Sequence, residues 1–191
     1  MRIVKDIGRE KIEYEIIFGG EKLVFLKGGA DANLQGAENR YLKMARRIHK
    51  RLGATVICAS NPDTPHEEFD EAQIRRVIAE KNMSEFEISL IGVSDGAYLT
   101  LSLAKQFPEA VKWVGINTSY PTIPKLKERL LSLSGLSKIL IYGTDDIDLK
   151  EVIPAIRGLT TENLVLKLFD GADHGFTGMD EEFISLADCL N

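Results

Sequence analysis

The sequence lacks the features that mark several common classes of protein. No apolar run approaches the roughly 20 residues that a bilayer span requires. The charged first ten residues lack the apolar core of a signal peptide. Only two cysteines are present, Cys58 and Cys189, and they form neither a C-x-x-C motif nor a metal-ligand spacing. We therefore expect a reduced, cytoplasmic protein with no membrane partner and no metal site, in which Cys58 is a small buried residue.

The chain also lacks an excess of basic charge. Its 24 lysines and arginines are outnumbered by 29 aspartates and glutamates, which leaves a net charge of −5. This balance argues against a nucleic-acid partner, because phosphate binding needs a concentrated basic surface. One basic cluster falls at helical spacing among apolar residues and indicates the solvated face of an amphipathic helix; it comprises Lys43, Arg46, Arg47, Lys50 and Arg51. The sequence does not indicate an oligomeric state.

What the sequence contains is the balance of a globular protein. It has 191 residues, of which 44% are hydrophobic and 28% charged, with no repeat or low-complexity tract, and this favours a single domain over 1–191. Short β-branched runs alternate with longer segments of helical period, a pattern typical of an α/β protein whose mostly parallel sheet carries helices on both faces. Residues 12–18 and 21–26, joined at Gly19-Gly20, predict an N-terminal antiparallel hairpin.

The strongest chemical signal is Gly92-Val-Ser-Asp-Gly96, a G-x-S-x-G pattern between an apolar strand predicted over 87–91 and a helix predicted over 96–106. A serine nucleophile needs such a sharp turn from strand to helix, where glycines relieve a crowded backbone. The N–H of Asp95 lies at the start of the helix, where the dipole and the unpaired donors favour an oxyanion. The alternative is an ordinary glycine-rich turn with a serine cap.

A serine hydroxyl is a poor nucleophile at neutral pH and needs a base within hydrogen-bond reach, for which histidine is suited. Of the three histidines, His49 falls in the basic helix and His66 at a predicted helix start, where neither needs a chemical role. His174 lies in a polar loop after the last predicted strand, at 164–169. Ligand sites of open α/β sheets gather on that side, so His174 is the predicted base.

The base in turn needs an acidic partner that holds it in one tautomer. The segment after the strand predicted over 138–142 offers Asp145, Asp146 and Asp148. Asp148 is also well placed to cap the following helix, and each aspartate can equally be a turn residue. The residues themselves leave the choice among the three open.

The order Ser…Asp…His, each after a strand and preceded by a glycine-rich loop, resembles the α/β-hydrolase superfamily over essentially the whole chain. The resemblance implies the α/β-hydrolase fold. It also selects Asp146 as the triad acid, because a Gly-x-x-Asp pattern often follows the penultimate strand in the family and counting from Gly143 reaches Asp146. Asp145 is the close runner-up. The Asp-His-Gly-Phe segment around His174 is similar to the family's histidine loop.

The same resemblance implies an oxyanion hole. Residues 25–30 stand where family members often carry His-Gly-x-Gly, so the backbone N–H of Gly29 is the implied second donor beside that of Asp95, and Gly28 permits the approach. Lys27 replaces the usual histidine, and Asp95 brings a carboxylate near a developing negative charge unless its side chain caps the helix or turns to solvent.

The chain is short for the family, and residues 118–136 leave room for only a small cap over a shallow, open pocket. Six residues are candidates for pocket walls, with plain core packing as the alternative: His66, Tyr120, Pro121, Ile123, Leu126 and Phe176.

The implied activity is that of a serine hydrolase in which a small carboxylic ester or thioester acylates Ser94 and water releases the acyl group. No metal or organic cofactor is implied. One alternative is an acyltransferase on the same fold. The other is a catalytically silent binding protein, which Asp95 beside the nucleophile and the small cap favour. A dinucleotide-binding protein is disfavoured, because the loop from Gly92 to Gly96 lacks the required glycine spacing and no Walker lysine follows.

Overall fold

The centre of the molecule is an eight-stranded sheet in the order β1-β2-β4-β3-β5-β6-β7-β8. The computed structural model describes residues 1–7, 10–62, 67–119, 123–156, 159 and 163–190. The strands are β1 (Arg2–Ile7), β2 (Glu10–Ile17), β3 (Lys22–Lys27), β4 (Thr55–Ala59), β5 (Glu87–Val93), β6 (Ala110–Ile116), β7 (Ser137–Gly143) and β8 (Leu164–Phe169). The helices are α1 (Arg40–Leu52), α2 (Glu67–Glu80), α3 (Asp95–Leu103), α4 (Ile123–Ser132), α5 (Leu149–Ile156) and α6 (Asp180–Ser185).

The predicted hairpin between residues 12–18 and 21–26 is wrong, although an antiparallel N-terminal pair is present. That pair is β1 with β2, and β2 pairs on its other side with β4, also antiparallel. Strand β3 instead pairs in parallel with β4 and β5. Strand β4 thus lies between the two segments that were expected to pair.

Gly19 explains this arrangement. A Cβ at this position would lie 2.4 Å from the carbonyl oxygens of both Gly53 and Ala54, so the chain passes closely over the turn between α1 and β4. The N–H of Gly19 donates to Thr55 Oγ1 at 3.0 Å. The two glycines therefore provide a close backbone approach, not a hairpin turn.

The helices cover both faces of the sheet, as predicted. Alternate side chains of each strand point to opposite faces, so Phe25 packs in the core beneath α2 to α5, whereas Leu26 packs in the core beneath α1 and α6. Helix α1 buries the apolar stripe Tyr41, Met44, Ala45 and Ile48 and ends at Gly53 with φ 62°. Its basic face points outward, which confirms the amphipathic interpretation.

Helix α4 packs against α3 and α5. Its residues Leu126 and Leu130 are fully buried in the core. Residues 120–122 lie outside the described part of the chain, so the cap over 118–136 stays a prediction. Within the described ranges, no helix combines the length and apolar character needed to cross a membrane.

The consecutive parallel strands β3 to β8 all end at one edge of the sheet. The loops that follow β3, β5, β6, β7 and β8 therefore meet at this edge, where ligand sites of open α/β sheets lie. Gly29, Ser94, Asp146 and His174 lie in these loops, and Asp95 begins the helix that follows β5.

Candidate active site

Ser94 occupies a sharp turn between a strand and a helix. Strand β5 ends at Val93 and α3 begins at Asp95, which leaves Ser94 alone between them with φ 53° and ψ −122°. Such a backbone conformation costs on the order of 1–3 kcal/mol in a residue other than glycine and is kept only where its surroundings impose it. Here the N–H of Ser94 donates to the carbonyl of Ile116 at 2.8 Å.

The two glycines of the motif make this turn possible. A Cβ on Gly92 would lie 2.3 Å from the Cα of Ala97, and one on Gly96 would lie 2.2 Å from the carbonyl oxygen of Gly28. Both positions therefore exclude any larger residue. The result is that α3 packs directly on the end of β5 and on the loop after β3.

His174 lies beside the serine. Its Nε2 is 3.1 Å from Ser94 Oγ, and its side chain is 38% exposed. The following turn is held by Asp173, whose carboxylate accepts a hydrogen bond from the N–H of Thr177 at 2.8 Å. This bond holds the pKa of Asp173 below its usual range. The imidazole is thus fixed at the base of an ordered turn, with one edge open to solvent.

Of the three aspartates after β7, Asp146 is the one that the fold brings to the imidazole. Its Oδ2 is 3.0 Å from His174 Nδ1, and its side chain is fully buried. Its Oδ1 accepts the N–H of Asp148 at 2.9 Å. Asp145 is exposed and accepts a long hydrogen bond from Thr144. A continuous relay therefore runs from Ser94 through His174 to Asp146.

A metal ion could be held by part of the same group of residues. Within the described ranges, Asp146, Asp148 and His174 are the one set of potential ligands whose atoms all lie within 4.8 Å of one another. A cation there would take up the carboxylate or imidazole atoms that form the relay. Hydrogen bonds within the protein already engage both carboxylate oxygens of Asp146 and both ring nitrogens of His174.

Asn117 is a residue of the site that the sequence analysis did not single out. It follows β6 with φ 43° and is fully buried. Its Nδ2 donates to the carbonyls of Asp173 and His174 at 3.0 and 2.8 Å, and its Oδ1 accepts the N–H of Gly143 at 2.9 Å. One amide thereby joins the loop of the imidazole to the end of β7. Its position directly after a parallel strand was the signal that could have revealed it.

Arg40, at the start of α1, supports the same loop from the other side. Its guanidinium donates to the carbonyl of Gly175 and lies 4.5 Å from the ring centroid of Phe183. Nothing in the local sequence indicates this contact, because Arg40 and Gly175 are 135 residues apart.

Gly29 and Asp95 both lie next to the serine, as the oxyanion prediction requires. A Cβ on Gly29 would be 3.2 Å from Ser94 Cβ and 3.8 Å from Ser94 Oγ. Asp95 begins α3, and its carboxylate accepts a hydrogen bond from Ser119, after β6. The Asp95 side chain is thus bound by a neighbouring hydroxyl; the two sequence-based expectations were a helix cap and a solvent-facing side chain.

Only some of the residues predicted to line the pocket lie in the described part of the chain. Leu126 and Phe176 belong to the two hydrophobic cores. Ile123 begins α4, and His66, Tyr120 and Pro121 lie outside the described residues. His49 is half-buried in α1, where its Nδ1 lies 2.9 Å from the carbonyl of Ala54.

The architecture matches solved structures over the whole chain. One is a candidate α/β hydrolase of unknown function from Agrobacterium tumefaciens, at 17% identity and TM-score 0.77, covering 100% of this chain and 94% of that one. Another is an esterase domain from Rhodothermus marinus, at 13% identity and TM-score 0.73, with coverages of 100% and 95%. A third is a serine hydrolase without a lid from Xanthomonas campestris, at 16% identity and TM-score 0.65, with coverages of 99% and 92%. No protein-family model and no curated protein matches the sequence. Likeness at these identities establishes a shared fold.

Proposed function

We propose that this chain, which has the α/β-hydrolase fold, is a serine hydrolase that cleaves a small carboxylic ester or thioester through an acyl-enzyme on Ser94. The observation that carries the proposal is the relay of hydrogen bonds from Ser94 Oγ to His174 Nε2 at 3.1 Å and from His174 Nδ1 to Asp146 Oδ2 at 3.0 Å. The esterase domain and the serine hydrolase among the structural neighbours support the ester class.

In the first half-reaction, Ser94 Oγ attacks the acyl carbon while its proton passes to His174 Nε2. The carbonyl π pair moves to oxygen, and the backbone N–H groups of Gly29 and Asp95 stabilise that oxyanion. Asp146 orients the imidazole and stabilises its charged form. The intermediate collapses when His174 donates the proton to the leaving alkoxide or thiolate. Water then attacks the acyl-enzyme by the same route and releases the acid.

The carboxylate of Asp95 need not prevent this chemistry. It accepts a hydrogen bond from the Ser119 hydroxyl, so the side chain is held on the loop after β6. The N–H of the same residue stays at the first turn of α3, where the helix dipole favours negative charge. The donor and the carboxylate of one residue thus have different neighbours.

Fluorophosphonate labelling of the intact protein tests the nucleophile. We expect labelling of the wild type and its loss in Ser94→Ala. Ser134→Ala is the control, because Ser134 is exposed and precedes β7, at the edge of the sheet opposite to Ser94. His174→Ala should lower the labelling rate by several orders of magnitude. Absence of wild-type labelling between pH 6 and 9 would leave a silent binding protein as the better description.

A p-nitrophenyl acetate assay tests the acid and the reaction type. Asp146→Asn should reduce kcat by about 10⁴-fold, as expected when the tautomer is lost, whereas the adjacent Asp145→Asn is the matched control and should change it less than threefold. The opposite order would reject Asp146.

Adding alcohols or amines and analysing the products distinguishes hydrolysis from acyl transfer: ester or amide products above the uncatalysed level would indicate an acyltransferase.

A further inference from the structure

A lysine is buried directly beneath the predicted oxyanion loop. Lys27, the last residue of β3, is 1% exposed. Its Nζ lies 2.8 Å from Asp70 Oδ2 and donates to the carbonyl of Ser60 at 3.1 Å. The hydroxyl of Tyr14 donates to Asp70 Oδ1 at 3.0 Å. Burial raises the pKa of Asp70, and the Lys27 ammonium opposes this shift.

The register of the sheet explains why these side chains meet. Tyr14 on β2 is paired with Ala59 on β4, and Ala59 is paired with Lys27 on β3. The three side chains therefore lie in one row on one face, and the small Ala59 leaves space above the sheet. Asp70, from the first turn of α2, fills that space and binds both neighbours. The next residue in the row is Gly92, of the serine turn.

Stability does not by itself explain a buried ion pair at this position. Removing two charges from water is costly, and apolar residues of similar volume are often as stabilising. What a charged pair in contact supplies, and an apolar pair does not, is an attraction that favours one short distance, here 2.8 Å between Lys27 Nζ and Asp70 Oδ2. The contacts around Lys27 show what is held in this way.

Hydrogen bonds close a ring around the turn that contains Gly29. Lys27 Nζ binds the carbonyl of Ser60, and the N–H of the next residue, Asn61, donates to the carbonyl of Ala32 at 2.8 Å. The N–H of Ala32 donates to the carbonyl of Gly29 at 3.1 Å. The side chain of Lys27 and the backbone that follows it are thus tied to the same short segment after β4.

The glycines of this turn pack against the nucleophile. A Cβ on Gly96 would lie only 2.8 Å from the carbonyl oxygen of Lys27 and 2.2 Å from that of Gly28, so both carbonyls pack against Gly96. Gly29 lies against Ser94. Any rotation of the turn would therefore move the Gly29 N–H relative to the reacting carbonyl. Donors of this kind must be held within about 0.5 Å to be effective.

We propose that Lys27 is a positioning residue, whose ion pair with Asp70 and hydrogen bond to Ser60 hold the loop that presents the Gly29 N–H to the oxyanion. The inference rests on the proposed function, since it concerns the acylation of Ser94. Lys27 itself does not touch the substrate. Its effect acts through the loop and is therefore specific to the charge that develops on the carbonyl oxygen.

The decisive variant is the double substitution Lys27→Met with Asp70→Leu. Lys27→Met alone leaves Asp70 buried without its cation and should reduce stability strongly. The double variant replaces the pair by apolar side chains but leaves the Tyr14 hydroxyl without its acceptor, so we expect it to fold with a melting temperature about 2–10 °C below that of the wild type. We still expect its acylation rate, measured by stopped flow with a p-nitrophenyl ester, to fall about 10- to 100-fold with KM changed less than threefold.

A comparison of an ester with its thionoester provides a readout that a purely structural role would not change. The oxyanion hole stabilises oxygen better than sulfur, so a misplaced Gly29 N–H should lower the ester-to-thionoester rate ratio about tenfold. Lys138→Met is the matched control. Lys138 is also a buried lysine, but it binds the carbonyls of Leu133 and Leu136 at the opposite edge of the sheet, so the ratio should stay at the wild-type value.

Tyr14→Phe gives an independent, milder test, since it removes only one hydrogen bond of Asp70. It should lower the same ratio two- to fivefold in a folded protein. An unchanged ratio in Tyr14→Phe and in a folded double variant, with wild-type fluorophosphonate labelling intact, overturns the role of Lys27 alone. Failure of the wild type to be labelled overturns the proposed function and this inference with it.

Discussion

Asn117→Gly tests the positioning of His174 without changing Ser94, His174 or Asp146. The Asn117 amide makes three hydrogen bonds, two to the carbonyls around His174 and one from the N–H of Gly143. The backbone at this position has φ 43°, a region that glycine enters without strain. The substitution to glycine therefore removes the side chain without imposing a backbone penalty.

The expected loss of stability follows from those contacts. Each hydrogen bond contributes about 1 kcal/mol net, and a buried N–H left without a partner costs about 1–3 kcal/mol. Two lost bonds to carbonyls and one orphaned N–H sum to about 3–5 kcal/mol, no more than the lower end of the 5–15 kcal/mol by which a domain is usually stable. The variant should thus remain folded at 25 °C.

A catalytic effect should accompany that loss of stability. Without the Asn117 amide, the carbonyls of Asp173 and His174 lose their link to the N–H of Gly143, at the end of the strand that leads to Asp146. A displacement of about 1 Å in such a site costs on the order of 10²-fold in rate. We expect kcat on p-nitrophenyl acetate to fall 30- to 100-fold, with KM nearly unchanged.

Asn117→Ala is the matched comparison. It removes the same hydrogen bonds and adds backbone strain of about 1 kcal/mol, so its melting temperature should be lower than that of Asn117→Gly while its kcat is similar. Activity in Asn117→Gly within twofold of the wild type, in a protein whose urea midpoint has fallen as expected, would refute the positioning role.

Three further predictions concern packing, thiol reactivity and pH. Gly92→Ala puts a Cβ 2.3 Å from the backbone of α3 and should cost about 3 kcal/mol and abolish labelling, whereas Gly135→Ala, with nothing within 4 Å, should melt like the wild type. Burial raises the pKa of Cys58 to about 12, so the native protein should release only one equivalent from Ellman's reagent at pH 8, and a second in guanidinium; two rapid equivalents in the native state would contradict this. Hydrogen bonds from Arg47 hold the pKa of Asp188 below its usual range, so its contribution to stability is present above the unfolded pKa of about 3.9 and is lost as the pH falls through the lower folded value. Asp188→Asn should therefore lower the urea midpoint more at pH 7 than at pH values below the unfolded pKa, and an equal shift in both ranges would contradict the assignment.

Periodicity and turn chemistry predicted most of the elements. The strand predicted over 138–142 is β7, which is one residue longer at each end, and the helix predicted over 96–106 is α3 with a short 3-10 turn over 104–106 after it. These segments have strong local patterns: alternate or continuous burial in a strand, and an acidic first turn in a helix. The missed strand is β1, a largely exposed edge strand whose charged and apolar residues give no clear period.

The residues of the candidate site also fall into two groups, those that local sequence predicts and those that only tertiary contacts decide. The G-x-S-x-G turn at Ser94 is a local feature, because glycines at both ends are required by contacts within and beside the same turn. The loop position of His174 also follows from its place after the last strand. The choice of Asp146 over its neighbours depends on which carboxylate points toward the imidazole, and that direction is a property of two loops that are far apart in sequence.

The sequence by itself therefore determined the α/β class, the covering of both sheet faces, and the serine turn, since each depends on residues within a few positions of one another. Only the tertiary structure decided the strand order at the N-terminus. Gly19 lets the chain pass close to the turn between α1 and β4, and β4 lies between β2 and β3. That same strand order brings Lys27 to Asp70, and the order of β6, β7 and β8 brings Asn117 to the loop of His174. These contacts join segments separated by 43 and 57 residues, and no local propensity carries information about partners at such distances.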